Sequence, residues 1–202
     1  MNVASTTFTA IDFESAGAQP GKTDVPVQIG MATMHGRDLD GGSLFCSYLR
    51  ADQPITWSAR KVHGIRDEDI QDAPTFTALW PTVKMALADR VVVAHGSGTE
   101  KRFLRAFPFH GFGPWVDTLK VAHAAWPDAP SHSLEKLIIM SELKPEVDAL
   151  CPDRRWHDAL YDAVASLVLL RHIIVYCELG QHDIAALIEP DRSPYFANRA
   201  AR

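Results

Sequence analysis

One segment near the start constrains the chain more than any other. Residues 7–13 read Thr-Phe-Thr-Ala-Ile-Asp-Phe. An unbroken run of β-branched and aromatic residues is the pattern of a strand buried in a sheet. The same strand closes on two acids, Asp12 and Glu14. Side chains alternate across a strand, so positions two apart share a face. Both carboxylates therefore point one way and Phe13 points the other. Two adjacent acids at the end of an apolar strand are costly without a counter-charge. A divalent cation supplies one, and hard cations such as Mg²⁺ prefer oxygen ligands. The alternative is an exposed strand end with two solvated acids.

The rest of the chain reads as alternating elements. Residues 15–22 hold two glycines and a proline and form a loop. Residues 25–34 and 43–49 are the next strands, joined in an antiparallel hairpin through Gly36, Gly41 and Gly42. Phe76, Leu79, Trp80, Val83 and Leu87 recur at helical spacing. A short apolar strand follows at 91–94, then a helix from about Thr99 that turns Phe103, Leu104 and Phe107 inward. A last strand is expected at 115–117, with helices over 118–125, 133–140 and about 158–179. Three strands in meander, then α, β, α, β and further helices, predict an α/β fold: a mixed sheet with helices packed on its faces. Residues 1–180 are expected to form one domain, and 181–202 a short helix over 183–188 with a polar, loosely held tail.

Length and composition fit this. The chain has 202 residues, 47% hydrophobic and 22% charged, which suits one globular domain with a sizeable core. The start lacks a secretory pattern. The most apolar late stretch, 167–176, is interrupted by Arg171 and His172 and is short for a bilayer span. A soluble, cytoplasmic protein with no membrane contact is expected. Three widely spaced cysteines, Cys46, Cys151 and Cys177, suggest buried hydrophobes rather than a zinc site or disulfides. A net charge of −5 disfavours a non-specific DNA coater, which carries a basic excess. An enzyme that meets phosphate through bound metal needs no such excess.

Two further signals join the strand acids. Residues 157–163 read His-Asp-Ala-Leu-Tyr-Asp-Ala. A histidine at the mouth of a helix, with Asp162 one turn inside, can face a common centre, and imidazole takes a proton near neutral pH. Asp158 reads as the helix-start residue. After the strand at 91–94, a Gly-Ser-Gly segment leads to Glu100 in a first helical turn, where the helix dipole alone favours an acid.

As an ordered set, these motifs resemble the DEDDh exonucleases. This is the DnaQ-like 3′–5′ exonuclease family of the ribonuclease H-like superfamily, which includes polymerase proofreading subunits and several ribonucleases. Val62-His63-Gly64-Ile65 resembles the family's His-Gly-Ile segment. Val116-Asp117-Thr118-Leu119 and Ser133-Leu134 resemble its Asp-Thr-Leu and Ser-Leu segments. The likeness covers roughly residues 6–175 and implies a ribonuclease H-like mixed β-sheet flanked by helices on both faces.

The resemblance also implies roles. Asp12, Glu14, Glu100 and Asp162 would hold two divalent ions, Mg²⁺ or Mn²⁺. Asp12 would bridge them, Glu14 would help position the attacking water, and His157 would be the general base. Phe13 (through its backbone), Ser15, Gly17 and His63 would meet the terminal nucleotide. The partner would be DNA or RNA with a free single-stranded 3′ end, and the product a nucleoside 5′-monophosphate. Some family members dimerise, so a homodimer stays open, and no residue selects a partner polymerase.

The sequence departs from the family's pattern in two motifs. Gly96, Thr99 and Glu100 replace the family's usual Asn, Phe and Asp in the second motif, and Ser15-Ala16-Gly17 replaces Thr-Thr-Gly. Glutamate reaches about 1.5 Å further than aspartate. The changes at positions 96, 99 and 100 motivate a rival reading, a nucleic-acid-binding module with a weakened second metal site. An unrelated histidine-rich metalloenzyme lacks the ligand spacing it would need. Arg154 and Arg155 are candidates to steer a phosphate chain, and His95 for a strand-end structural role. The tryptophans are expected in the core or a lid, with Trp156, beside His157, the exception to test.

Overall fold

The computed structural model describes residues 1–39, 43–193 and 195. Among them run strands β1 (Thr7–Ser15), β2 (Pro26–His35), β3 (Asp38–Leu39), β4 (Phe45–Tyr48), β5 (Val91–Ala94) and β6 (Trp115–Asp117). The helices are α1 (Trp57–His63), α2 (Asp67–Ile70), α3 (Trp80–Leu87), α4 (Gly98–Leu104), α5 (Thr118–Ala125), α6 (Leu134–Met140), α7 (Lys144–Leu150), α8 (Ala159–Tyr176) and α9 (Ala185–Ile188).

The six strands form one mixed sheet in the order β3-β2-β1-β5-β6, with β4 also paired to β2. β1 and β2 are antiparallel, as are β2 and β4, while β1, β5 and β6 run parallel. The expected hairpin is present as β2 and β4, with the small β3 added at its turn. Gly41 and Gly42 lie outside the described residues, as does most of the expected tail.

Alternation along β1 divides the core. Phe8 and Ala10 pack with α8, whereas Ile11 and Phe13 join Phe103, Leu104 and Val83 on the other side. Helices thus cover both faces. Phe13 makes edge contacts with Phe76 and Phe103, both at 5.4 Å between ring centres. By length and hydropathy alone α8 could cross a bilayer, a correction to the sequence expectation, but 72% of it is buried inside this chain. It is the central core helix. Cys151 and Cys177 are buried as expected, and Cys46 is half-buried. Trp57 departs from expectation: it is 75% exposed on the outer side of α1.

Beyond α8 the chain returns to the body. Leu187 and Tyr195 are buried, and the Tyr195 hydroxyl donates to the Ala186 carbonyl at 2.8 Å.

Candidate active site

The site forms where β1 and the first turn of α8 meet. Gly30 of β2 lies opposite Asp12 in the ladder. A Cβ there would sit 2.2 Å from the Ala159 carbonyl carbon and from the Leu160 nitrogen, so only glycine lets α8 lie this close to the sheet. One turn into that helix, Asp162 comes beside Asp12.

Gln28, opposite Glu14, fixes the helix start. Its Oε1 accepts from Ala159 N at 3.0 Å, and its Nε2 donates to Asp158 Oδ2 at 3.0 Å. Asp158 is the N-cap, accepting from Leu160 N at 3.1 Å and Tyr161 N at 3.3 Å. Arg154 donates to both Asp158 oxygens, at 2.8 and 2.7 Å, and contacts Cys46 Sγ at 3.3 Å. This engagement takes Arg154 out of the expected steering pair, while Arg155 stays exposed.

Glu100 arrives from the first turn of α4. The preceding loop is held by Asp117, which accepts from Gly96 N and Ser97 N, both at 2.9 Å, from the Ser97 hydroxyl at 3.1 Å and from Leu119 N at 3.1 Å. Burial opposes ionisation of Asp117, yet these donors hold its carboxyl below the ordinary range. His95 closes the end of β5, with Nδ1 on the Thr118 hydroxyl at 3.0 Å and Nε2 on the His132 carbonyl at 2.9 Å.

The carboxylates feel one another. Burial first, then Asp162, Glu100, Glu14 and Asp158, raise Asp12 well above its ordinary value. Burial, Asp162 and Asp158 push Glu14 up to about 8. Asp162 rises to about 7, chiefly through burial, against a hydrogen bond from the His157 backbone. Burial also lifts Glu100 to about 7; its own backbone N–H pulls the other way and Asp117 adds to the rise.

His157 is exposed in a left-handed turn, φ +64°. Its N–H donates to Asp162 Oδ2 at 3.3 Å. One ligand atom each from Glu14, His157 and Asp162 lie within 4.8 Å of one another. Glu100 Oε2 and Asp162 Oδ1 are buried and accept no hydrogen bond among the described residues. Among the described residues no lysine or arginine forms an ion pair with Asp12, Glu14, Glu100 or Asp162. Clustered acids, orphaned oxygens and missing cations together fit a hard divalent ion.

A cavity of about 330 Å³ opens beside Glu14, lined also by Ser15, Gly17, Ala59, Val62 and His63. A bulge after Glu14 turns Ser15 out of register. Gly17 has φ +88°, and a Cβ there would meet Thr56 Oγ1 at 2.3 Å, so the loop lies flat against α1. His63 is buried: Nδ1 accepts from Ile65 N at 3.0 Å, leaving Nε2 to donate to the Ser15 carbonyl at 3.1 Å. Burial mainly lowers its pKa, with His157 adding to the effect. Phe13 offers only its backbone to this side, since its ring is buried among aromatics. A second cavity, about 330 Å³, lies past His63 and reaches Arg155 and His157.

The sequence reading missed Gln28, Gly30 and the clamp made by Asp117. The one available signal was the Asp-Thr-Leu segment, read as a likeness without a task.

The sequence pattern of the Exonuclease family (RNase_T) matches residues 9–170. The chain is 27% identical over 183 residues to a PolC-type DNA polymerase III of Thermotoga maritima, a match that takes in 86% of this chain and 12% of that protein. Among solved structures, Exonuclease X in complex with 5′ overhanging duplex DNA aligns with a TM-score of 0.73 at 24% identity, over 90% of this chain and 99% of that one. The nuclease domain of 3'hExo, a DEDDh family member bound to rAMP, aligns with a TM-score of 0.71 at 15% identity, over 90% and 98%. The chain therefore belongs to the exonuclease family, and its fold is the ribonuclease H-like fold of these nuclease domains.

Proposed function

We propose that the protein is a metal-dependent 3′→5′ exonuclease that removes nucleoside 5′-monophosphates from single-stranded DNA or RNA ends. One observation carries the reading. Glu14, His157 and Asp162 present ligand atoms within 4.8 Å, where Asp12 and Glu100 add charge.

Asp12, Glu14, Glu100 and Asp162 would hold the ions, which supply positive charge to the attacking and leaving oxygens of an in-line displacement. His157 takes a proton from the attacking water, whose oxygen forms the new bond to phosphorus. The bond from phosphorus to the 3′ oxygen breaks, and that oxygen leaves with the shortened strand and regains a proton. An exposed imidazole suits this task, since it can pass its proton to solvent between turnovers. Ser15, Gly17 and the backbone of Phe13 shape the cavity for the terminal nucleotide, and His63 holds its wall through Ser15.

The partnerless Glu100 oxygen and its influence on Asp12 support an enzyme over a weakened binding module. The test uses 5′-labelled DNA and RNA single strands with Mg²⁺, Mn²⁺ or EDTA. A ladder shortening from the 3′ end with metal alone, and lost in Asp12→Asn, is expected. Binding without any shortening would leave the binding module instead.

A further inference from the structure

A further cavity lies apart from the one beside Glu14. It measures about 670 Å³ and lies on the far side of the β1–β2 loop, within the size range of small-ligand and nucleotide sites. Its floor includes Val25, Phe76 and Phe103. Lys22, Arg50, Arg102 and Arg105 stand around it, against the carboxylates of Asp24 and Asp52. In a chain of net charge −5, this cationic excess is local and concentrated.

Only one of those cations is paired among the described residues. Arg102 Nη2 meets Asp24 Oδ2 at 3.3 Å, and its guanidinium lies 4.9 Å from the Phe103 ring centre. Lys22, Arg50 and Arg105 are exposed and form no ion pair. Free cations above an aromatic floor match a nucleotide: phosphates for the cations, a base for the apolar floor.

The cavity also shares a wall with the candidate active site. Asp24 Oδ1 accepts from Gly17 N at 2.9 Å, and Gly17 lines the cavity beside Glu14. α4 carries Glu100 to one side and Arg102 to the other.

We infer that this cavity is a second nucleic-acid site, which holds the body of a single strand whose 3′ end occupies the groove beside Glu14. This rests on the exonuclease reading and extends it. A lipid or an acidic peptide would meet the same cations, but neither is continuous with the groove as a strand is.

The test uses the full chain and the triple variant Lys22→Ala, Arg50→Ala, Arg105→Ala, none of which belongs to the acidic cluster. Fluorescence anisotropy measures binding of a single strand of about twenty nucleotides over a salt series. Turnover is measured on that strand and on a dinucleotide. The variant should bind the long strand at least about tenfold more weakly at low salt, with a salt slope smaller by roughly 2, about 0.7 per lost phosphate contact. Dinucleotide turnover should stay at the wild-type rate. Arg50→Lys alone should leave both unchanged, since a phosphate contact needs only the charge. Equal losses on both substrates, or no loss on the long strand, would overturn the inference. A wild-type chain that cleaves neither substrate refutes the exonuclease reading alone, because the anisotropy arm still decides the cavity. Absence of strand binding by wild type defeats the cavity assignment.

Discussion

Gly30 and Ala159 meet backbone to backbone: a side-chain carbon on Gly30 would lie 2.2 Å from the carbonyl carbon of Ala159. That contact sets how closely α8 approaches the sheet, and with it the distance between Asp12 and Asp162. Gly30→Ala should destabilise the protein by about 2–3 kcal/mol, the usual scale for overpacking. It should weaken divalent-ion binding in whatever fraction still folds. Urea unfolding and metal titration calorimetry give both readings. Wild-type stability in this variant would mean the helix can move away at no cost.

The metal-free protein should lose stability as pH rises. Glu14 titrates at about 8 and Asp162 and Glu100 at about 7 in the folded chain, above the ordinary carboxylate range of about 4. Between those limits the folded state keeps protons that the unfolded chain has released, so unfolding gains with each step in pH. Melting temperature in EDTA should fall from pH 5 to pH 8. Mn²⁺ should remove most of that decline, because the cation replaces the protons. A flat profile in EDTA would show that burial and neighbouring charge do not raise these acids in the folded chain.

His157→Asn should cut turnover at least about 100-fold, the usual size of a general-base contribution. Asparagine is the right replacement because position 157 has φ +64°, a conformation asparagine tolerates. Melting temperature should therefore stay within a degree or two of wild type. A full-rate variant would move the proton acceptor elsewhere.

Asp117→Ala should act at a distance. It strands the N–H groups of Gly96, Ser97 and Leu119, at a cost of about 1–3 kcal/mol for buried donors left unmet. The freed loop should let Glu100 drift, lowering affinity at one metal position more than at the other. Calorimetry that shows both positions unchanged would separate Asp117 from the site.

Strands and long helices were legible in the sequence because burial writes a period into the chain. β5, β6 and α5 fall where apolar spacing placed them. α1, α2 and α7 were not foreseen: each buries a single residue, His63, Ile70 or Val147, which writes no apolar period into the chain. Asp12, Glu14 and the His157–Asp162 pair could be read because strand alternation and helix pitch are local rules. Gln28 and Gly30 could not: their partners lie about 130 positions away, and nothing local in β2 marks them. Trp57 was misplaced because a large aromatic is buried far more often than it stands in water.

The acidic cluster joins positions 12, 14, 100 and 162, and α8 reaches the sheet only after most of the chain has been made. During synthesis, which runs from the N-terminus, a ribosome-bound fragment that stops before residue 162 holds at most three of the four acids. Such long-range closure is slow to form. A copy that stops short of α8 thus lacks the complete acidic cluster, and the cluster comes into being only together with the tertiary structure.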